Sequence, residues 1–143
     1  MIIKQLSIFV ENKSGRLAQI AETLAENDID IRALSIADTT NFGILRLIVN
    51  KPNLAEQVLQ ESGMTVSLTE VIAIEISDKP GGLEVALKAL NYGGIGIEYM
   101  YAFIGRPHKS AHVIIRVEDN DAAIKVLSEN GIGLLKSRDL YED

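Results

Sequence analysis

Two short stretches of this chain join a helix-starting glycine to polar neighbours: Glu11-Asn12-Lys13-Ser14-Gly15-Arg16-Leu17 and Ser77-Asp78-Lys79-Pro80-Gly81-Gly82-Leu83. Where a helix begins, backbone N–H groups lack partners. They carry about half an elementary positive charge, which favours an anion such as a carboxylate. Glycine at such a point opens the backbone to close approach. The side-chain oxygens of Asn12 and Asp78 are suited to accept from an ammonium group, so one loop can address both ends of a zwitterion. Arg16, beside Gly15, offers a cation for the carboxylate. The same residues also fit a purely structural role, with Asn12 and Asp78 capping helices and the glycines turning the chain.

Other constellations carry less chemistry. Gly93-Gly94-Ile95-Gly96-Ile97-Glu98 contains a Gly-x-Gly, but it leads from a helix into a strand, the reverse of a dinucleotide fingerprint. Its glycines read as a helix stop, and Gly96 also lets a ligand approach a strand. His108 and His112 share a strand face but stand roughly 13 Å apart at the usual rise, too far for one metal ion. Ser14 has no His or Lys beside it in sequence to activate it. Arg32, Arg46 and Arg116 read as solvated, and Tyr99, Tyr101 and Phe103 read as core or interface packing. No cofactor and no catalytic residue is expected.

The elements that hold the two turns are written twice. Shifting the sequence by 66 lays one turn on the other, Leu24 on Leu90, and Ile29-Asp30-Ile31 on Ile95-Gly96-Ile97. Beyond that the shift is 68, matching Leu47 to Ile115, Val58-Leu59 to Val126-Leu127 and Gly63 to Gly131. The second copy therefore carries two extra residues in the loop that corresponds to Ile36–Gly43 of the first, where a surface turn tolerates them. The boundary falls near Glu70–Val71, giving units 1–70 and 71–143 with no linker between them.

Each copy reads β-α-β-β-α-β. Leu6, Ile8 and Val10 alternate with Gln5, Ser7 and Phe9, the period of a strand. Leu17, Ile20, Ala21 and Leu24 make one helical stripe. Ile29, Ile31 and Ala33 open a second strand, yet Leu34 and Ile36 fall in the opposite phase, which predicts a bulge. Leu45, Leu47 and Val49, a shorter helix through Leu54, Val58 and Leu59, and Met64, Val66 and Leu68 complete the copy. The second copy repeats this through Ile72, Ile74 and Ile76, then Leu83, Ala86, Leu87 and Leu90, and on to Ile132 and Leu134. The fold class is α+β, two tandem ferredoxin-like units, each an antiparallel sheet with helices on one face.

Composition narrows the function. The 143 residues carry a net charge of −6, are 47% hydrophobic and contain no cysteine. An acidic chain is a poor partner for nucleic acid or an anionic membrane. Cysteine chemistry is impossible, and no apolar run is long enough to span a bilayer. The start of the chain reads as a strand and not a signal peptide, so a cytoplasmic location is expected.

The strand, the Asp78-Lys79-Pro80-Gly81-Gly82-Leu83 turn, the amphipathic helix and the Ile-x-Ile strand resemble the ACT domain, and the first copy repeats the pattern with Asn12 and Ser14 where Asp and Pro are commoner. The resemblance covers nearly the whole chain, as two ACT domains. It implies a non-catalytic regulatory sensor that binds a free amino acid or similar zwitterion where two such domains meet. It also implies a homodimer, and a separate metabolic enzyme or regulator as the target. Edge-to-edge sheets would set each turn against the other unit's second strand. The residues implied as ligand-binding are then Asn12, Ser14, Gly15, Arg16 and Leu17 with Ile29, Asp30 and Ile31, and Asp78, Pro80, Gly81, Gly82 and Leu83 with Ile95, Gly96 and Ile97. A ligand-free oligomerisation scaffold and an acylphosphatase-like hydrolase are the alternatives on the same fold. An RNA-binding sheet is disfavoured by the aliphatic run Leu45-Arg46-Leu47-Ile48-Val49.

Overall fold

The computed structural model describes all residues except 12, 39–40, 104–109 and 142–143. Strands and helices follow in the order β1 (Ile2–Glu11), α1 (Arg16–Glu26), β2 (Ile31–Asp38), β3 (Phe42–Val49), α2 (Pro52–Glu61), β4 (Thr65–Ser77), α3 (Gly82–Tyr92), β5 (Ile97–Ala102), β6 (Ser110–Val117), α4 (Asn120–Glu129), β7 (Gly133–Leu134) and α5 (Ser137–Tyr141). Among the described residues no helix is long and apolar enough to cross a membrane.

The chain forms two compact units. The N-terminal unit comprises Lys4–Thr69 with Leu140–Asp143, and the C-terminal unit comprises Met1–Ile3 with Glu70–Asp139. In the N-terminal unit β3 pairs antiparallel with β1 (Leu6 opposite Leu47, Ile8 opposite Leu45) and with β2 (Leu34 opposite Leu47, Ile36 opposite Leu45). Leu6, Ile8 and Val10 bury against Ile20 and Leu24 of α1 and Ala55 and Leu59 of α2, so both helices cover one sheet face. The predicted helical stripe is only half right: Ile20 and Leu24 are buried, while Leu17 is 48% exposed and Ala21 is also exposed. On the opposite strand face Gln5 is fully buried.

The C-terminal unit repeats the plan. β6 pairs with β4 (Ile72 opposite Ile115) and with β5 (Met100 opposite Ile115), and β7 adds a short pairing to β4 (Ile74 opposite Leu134). Ile72, Ile74, Val113 and Ile115 pack against Ala86 and Leu90 of α3 and Ala123 and Leu127 of α4. The expected bulge is present in β2, where the register shifts between Ile31 and Ala33. Its counterpart, 66 residues on, lies between Ile97 and Tyr99 of β5.

Three features differ from the sequence reading. The last strand of the first copy and the first strand of the second are a single 13-residue strand, β4. Val71, Ile72, Ala73 and Ile74 are all buried within it, so both side-chain directions are covered. A fifth helix, α5, closes the described chain, burying Leu140. The backbone N–H of Lys4 donates to the Tyr141 hydroxyl at 2.8 Å, tying β1 to this helix. Burial pushes the Tyr141 hydroxyl pKa up, partly opposed by the Lys4 N–H. The arginines are not freely solvated: Arg32 pairs with Asp30 at 3.1 Å and Arg116 with Glu98 at 3.6 Å, and Arg116 also donates to the carbonyls of Glu70 and Val117.

Candidate functional site

The two glycine turns share one backbone conformation. Gly15 caps α1 at φ 86°, ψ −6°, and Gly81 caps α3 at φ 86°, ψ −8°. This is the left-handed region that L side chains enter only at a cost. Space is not what demands glycine here, since a Cβ at either position would meet nothing within 4 Å. With glycine as the N-cap, neither helix receives the side-chain cap that Asp119 gives α4 through its bond from the Ala122 N–H at 3.0 Å. The structural alternative in which Asp78 is the capping residue of α3 therefore gives way to a glycine cap, with Asp78, Lys79 and Pro80 exposed beside it. Asn12 lies outside the described residues.

One residue further on, the turns part company. Gly82 is buried, and a Cβ there would collide with the backbone carbonyl of Ser77. The chain itself fills the space at the start of α3. The equivalent position in the first copy is Arg16, whose guanidinium lies 3.9 Å from Glu11 and donates to Gln19 at 3.4 Å. Lys13 reaches the other Glu11 oxygen at 3.0 Å. The hydrogen bond from Lys13 lowers the Glu11 pKa, helped by the charges of Lys13 and then Arg16.

Glu11 and Arg16 line a cleft of about 290 Å³ with Phe9, Phe42, Gly63, Met64 and Thr65. The Phe9 and Phe42 rings are tilted at 57° with centroids 5.6 Å apart, and they are 47% and 39% exposed. An apolar wall, a cation and an anion thus meet beside the uncapped start of α1. Ser14 is exposed close by. The lining residues Phe9, Phe42 and Met64 escaped sequence reasoning. The available signal was Phe9 itself, which breaks the polar series Gln5, Ser7 on the face of β1 away from the helices.

The strand openings implied as ligand contacts form a second kind of cleft. Ala25, Asp28, Ile29, Asp30, Arg32 and Asn50 line about 400 Å³ in the N-terminal unit. Asn50, itself buried, accepts from the Asp30 N–H at 2.9 Å. The corresponding cleft of the C-terminal unit, about 700 Å³, is lined by Gly93, Gly94, Ile95, Gly96, Ile97, Glu98, Glu118, Asp119 and Ala122. Within each unit the strand opening and the glycine turn lie at opposite ends of an 11-residue helix, about 16 Å apart by the helical rise. A unit taken alone does not bring its own turn and strand opening together.

Other singled-out residues fall elsewhere. Leu83 is half-buried, and Tyr99 and Tyr101 stack with centroids 6.5 Å apart. His112 lies 3.3 Å from Glu75 and edge-on to Phe103, while His108 is outside the described residues. Among the described residues no three metal-ligating side chains gather.

The family model of the ACT domain pair matches residues 1–142. A crystallised protein from Bacteroides thetaiotaomicron is 43% identical, with TM-score 0.93, covering 100% of this chain and 98% of that one. The ligand-free regulatory subunit of aspartate kinase from Thermus thermophilus aligns at 16% identity and TM-score 0.64, over 89% of this chain and 91% of its own. A putative C-terminal regulatory domain of aspartate kinase from Porphyromonas gingivalis gives 16% and 0.57, over 91% and 94%. These two share the fold. No curated protein sequence matches at a significant level.

Proposed function

The chain belongs to the ACT domain pair family, and on that premise we propose that it is a non-catalytic sensor of a free amino acid that regulates a separate enzyme or transcriptional regulator. One observation carries the reading: the cleft beside the Gly15 cap, where Arg16, Glu11 and the Phe9–Phe42 wall converge. A carboxylate in that cleft meets the Arg16 guanidinium and the positive end of α1, whose amides no side chain caps. An ammonium group meets Glu11. An apolar side chain lies on the two rings, away from water.

Of the two matched turns, the one at Gly15 is assigned the ligand. The start of α3 has no Arg, because position 82 is glycine beneath the Ser77 carbonyl, and no aromatic wall, because the counterparts of Phe9 and Phe42 are Glu75 and Ser110. A ligand present at a hundred times its dissociation constant stabilises the form that binds it by about 2.7 kcal/mol. If a target engages the bound and free forms with different affinities, that bias is the regulatory signal.

The test is a melting-temperature screen of the whole chain against the twenty amino acids. At least one should raise the melting point, and Arg16→Ala should abolish the rise. No shift with any amino acid would overturn the reading in favour of a ligand-free scaffold. A shift that survives Arg16→Ala would move the site elsewhere.

A further inference from the structure

Phenylalanine is rare in this chain, 3 of 143 residues. Two of them, Phe9 and Phe42, stand side by side in the cleft beside the Gly15 cap, 47% and 39% exposed. Neighbouring rings left in water form an apolar patch that asks for a reason. The sheet does not supply one. The second copy pairs β4 with β6 as the first pairs β1 with β3, setting Ser110 opposite Ser77 where the first sets Phe42 opposite Glu11. Glu75 takes the position of Phe9. The same strand pairing is thus built without a ring at either place.

The two rings are inclined at 57° with centroids 5.6 Å apart. Aromatic rings prefer tilted and offset arrangements at such distances, because the positive edge of one ring is drawn to the negative face of another. A third ring entering the cleft extends that arrangement. Met64 lines the same cleft, and a thioether also gains from contact with aromatic rings. An aliphatic side chain would gain the burial without these oriented contacts.

The charged residues leave the wall to the side chain. With Arg16 on the carboxylate and Glu11 on the ammonium group, what remains of the ligand lies on Phe9 and Phe42. The volume of about 290 Å³ is at the lower end for small-molecule sites, which suits a single amino acid.

We propose that the ligand is an amino acid with an aromatic side chain, its ring packed against Phe9 and Phe42. This rests on the reading of the cleft as an amino-acid site and adds the class that fills it.

Titration calorimetry of the full chain with phenylalanine, tyrosine, tryptophan, leucine and alanine tests it. Because the chain has no tryptophan, the fluorescence of free tryptophan gives a second readout. At least one aromatic amino acid should bind on the order of tenfold more tightly than leucine, through its contacts with the two rings. Phe9→Leu and Phe42→Leu keep an apolar wall, so each should bring that ratio towards one and leave leucine binding within about twofold. If a variant loses its cooperative melt, the ranking on the unaltered chain still decides the class. Leucine binding as tightly as every aromatic amino acid would overturn the class and leave the amino-acid site standing. An aromatic preference that persists in both variants would overturn the packing against these rings. If no amino acid binds at all, the reading of the cleft falls, and this proposal with it.

Discussion

The starts of α1 and α3 have the same backbone and different surroundings. Gly15 and Gly81 agree within 2° in ψ and coincide in φ, so the repeat conserves a left-handed cap without a side-chain hydrogen bond to the helix amides. Position 16 is an arginine beside an acidic residue and an aromatic cleft, whereas position 82 is a glycine packed under a carbonyl. The turn that most resembles the family, Asp78-Lys79-Pro80-Gly81-Gly82-Leu83, is therefore the one with less room. A motif fixes the backbone of a turn, and its neighbours decide whether a ligand has anything to hold.

The sharpest way to break this contrast is to put the same methyl group at both positions. Gly82→Ala should destabilise the chain by about 2–3 kcal/mol, since the Cβ meets backbone that cannot swing aside. Arg16→Ala should stay within about 0.5 kcal/mol, as it loses an ion pair to Glu11 and an exposed hydrogen bond to Gln19. Urea denaturation of both variants reads the difference. Equal costs would mean that the start of α3 is as open as that of α1.

A smaller effect tests the part the turns share. Gly15→Ala and Gly81→Ala each force an L residue to φ 86° in otherwise open space. Each should cost about 1–2 kcal/mol, and the two costs should agree within about 0.5 kcal/mol. A large gap between them in the same denaturation experiment would show that the caps are not equivalent.

The parts of this architecture that repeat were legible, because repetition turns weak local signals into paired ones. The bulge followed from the phase slip between Ala33 and Leu34; the register shift itself lies just before it, between Ile31 and Ala33, and reappears at Ile97–Tyr99. The fused strand did not follow. Val66, Leu68, Ile72, Ile74 and Ile76 keep one alternating phase across Glu70, so the apolar period is continuous, and it is the repeat boundary near Glu70–Val71 that divides one backbone into two strands. Helix α5 spans five residues, too short for a periodic signature, and it is tied down by a hydrogen bond between residues 137 apart. The glycine caps were visible as sequence. The cleft was not, since Phe9, Phe42 and Met64 come from three separated segments that only tertiary structure gathers.

The smallest expected effect isolates the charge that one turn has and the other lacks. Glu11 corresponds to Ser77 by the repeat, so only the N-terminal unit has a titrating group at this position. Its pKa is lowered in the folded chain by the Lys13 hydrogen bond and the Lys13 and Arg16 charges. A lowered folded pKa means that the contribution to stability is present above the ordinary carboxylate range and is lost as pH falls through the lowered value. Melting curves of the unaltered chain and Glu11→Gln should therefore differ slightly at neutral pH and converge in acid. Ligand affinity should show the same sense more strongly, because a protonated Glu11 no longer attracts an ammonium group. An amino-acid response that persists undiminished below that range, or in Glu11→Gln at neutral pH, would remove Glu11 from the site and leave Arg16 and the amides of α1 to hold the ligand by its carboxylate alone.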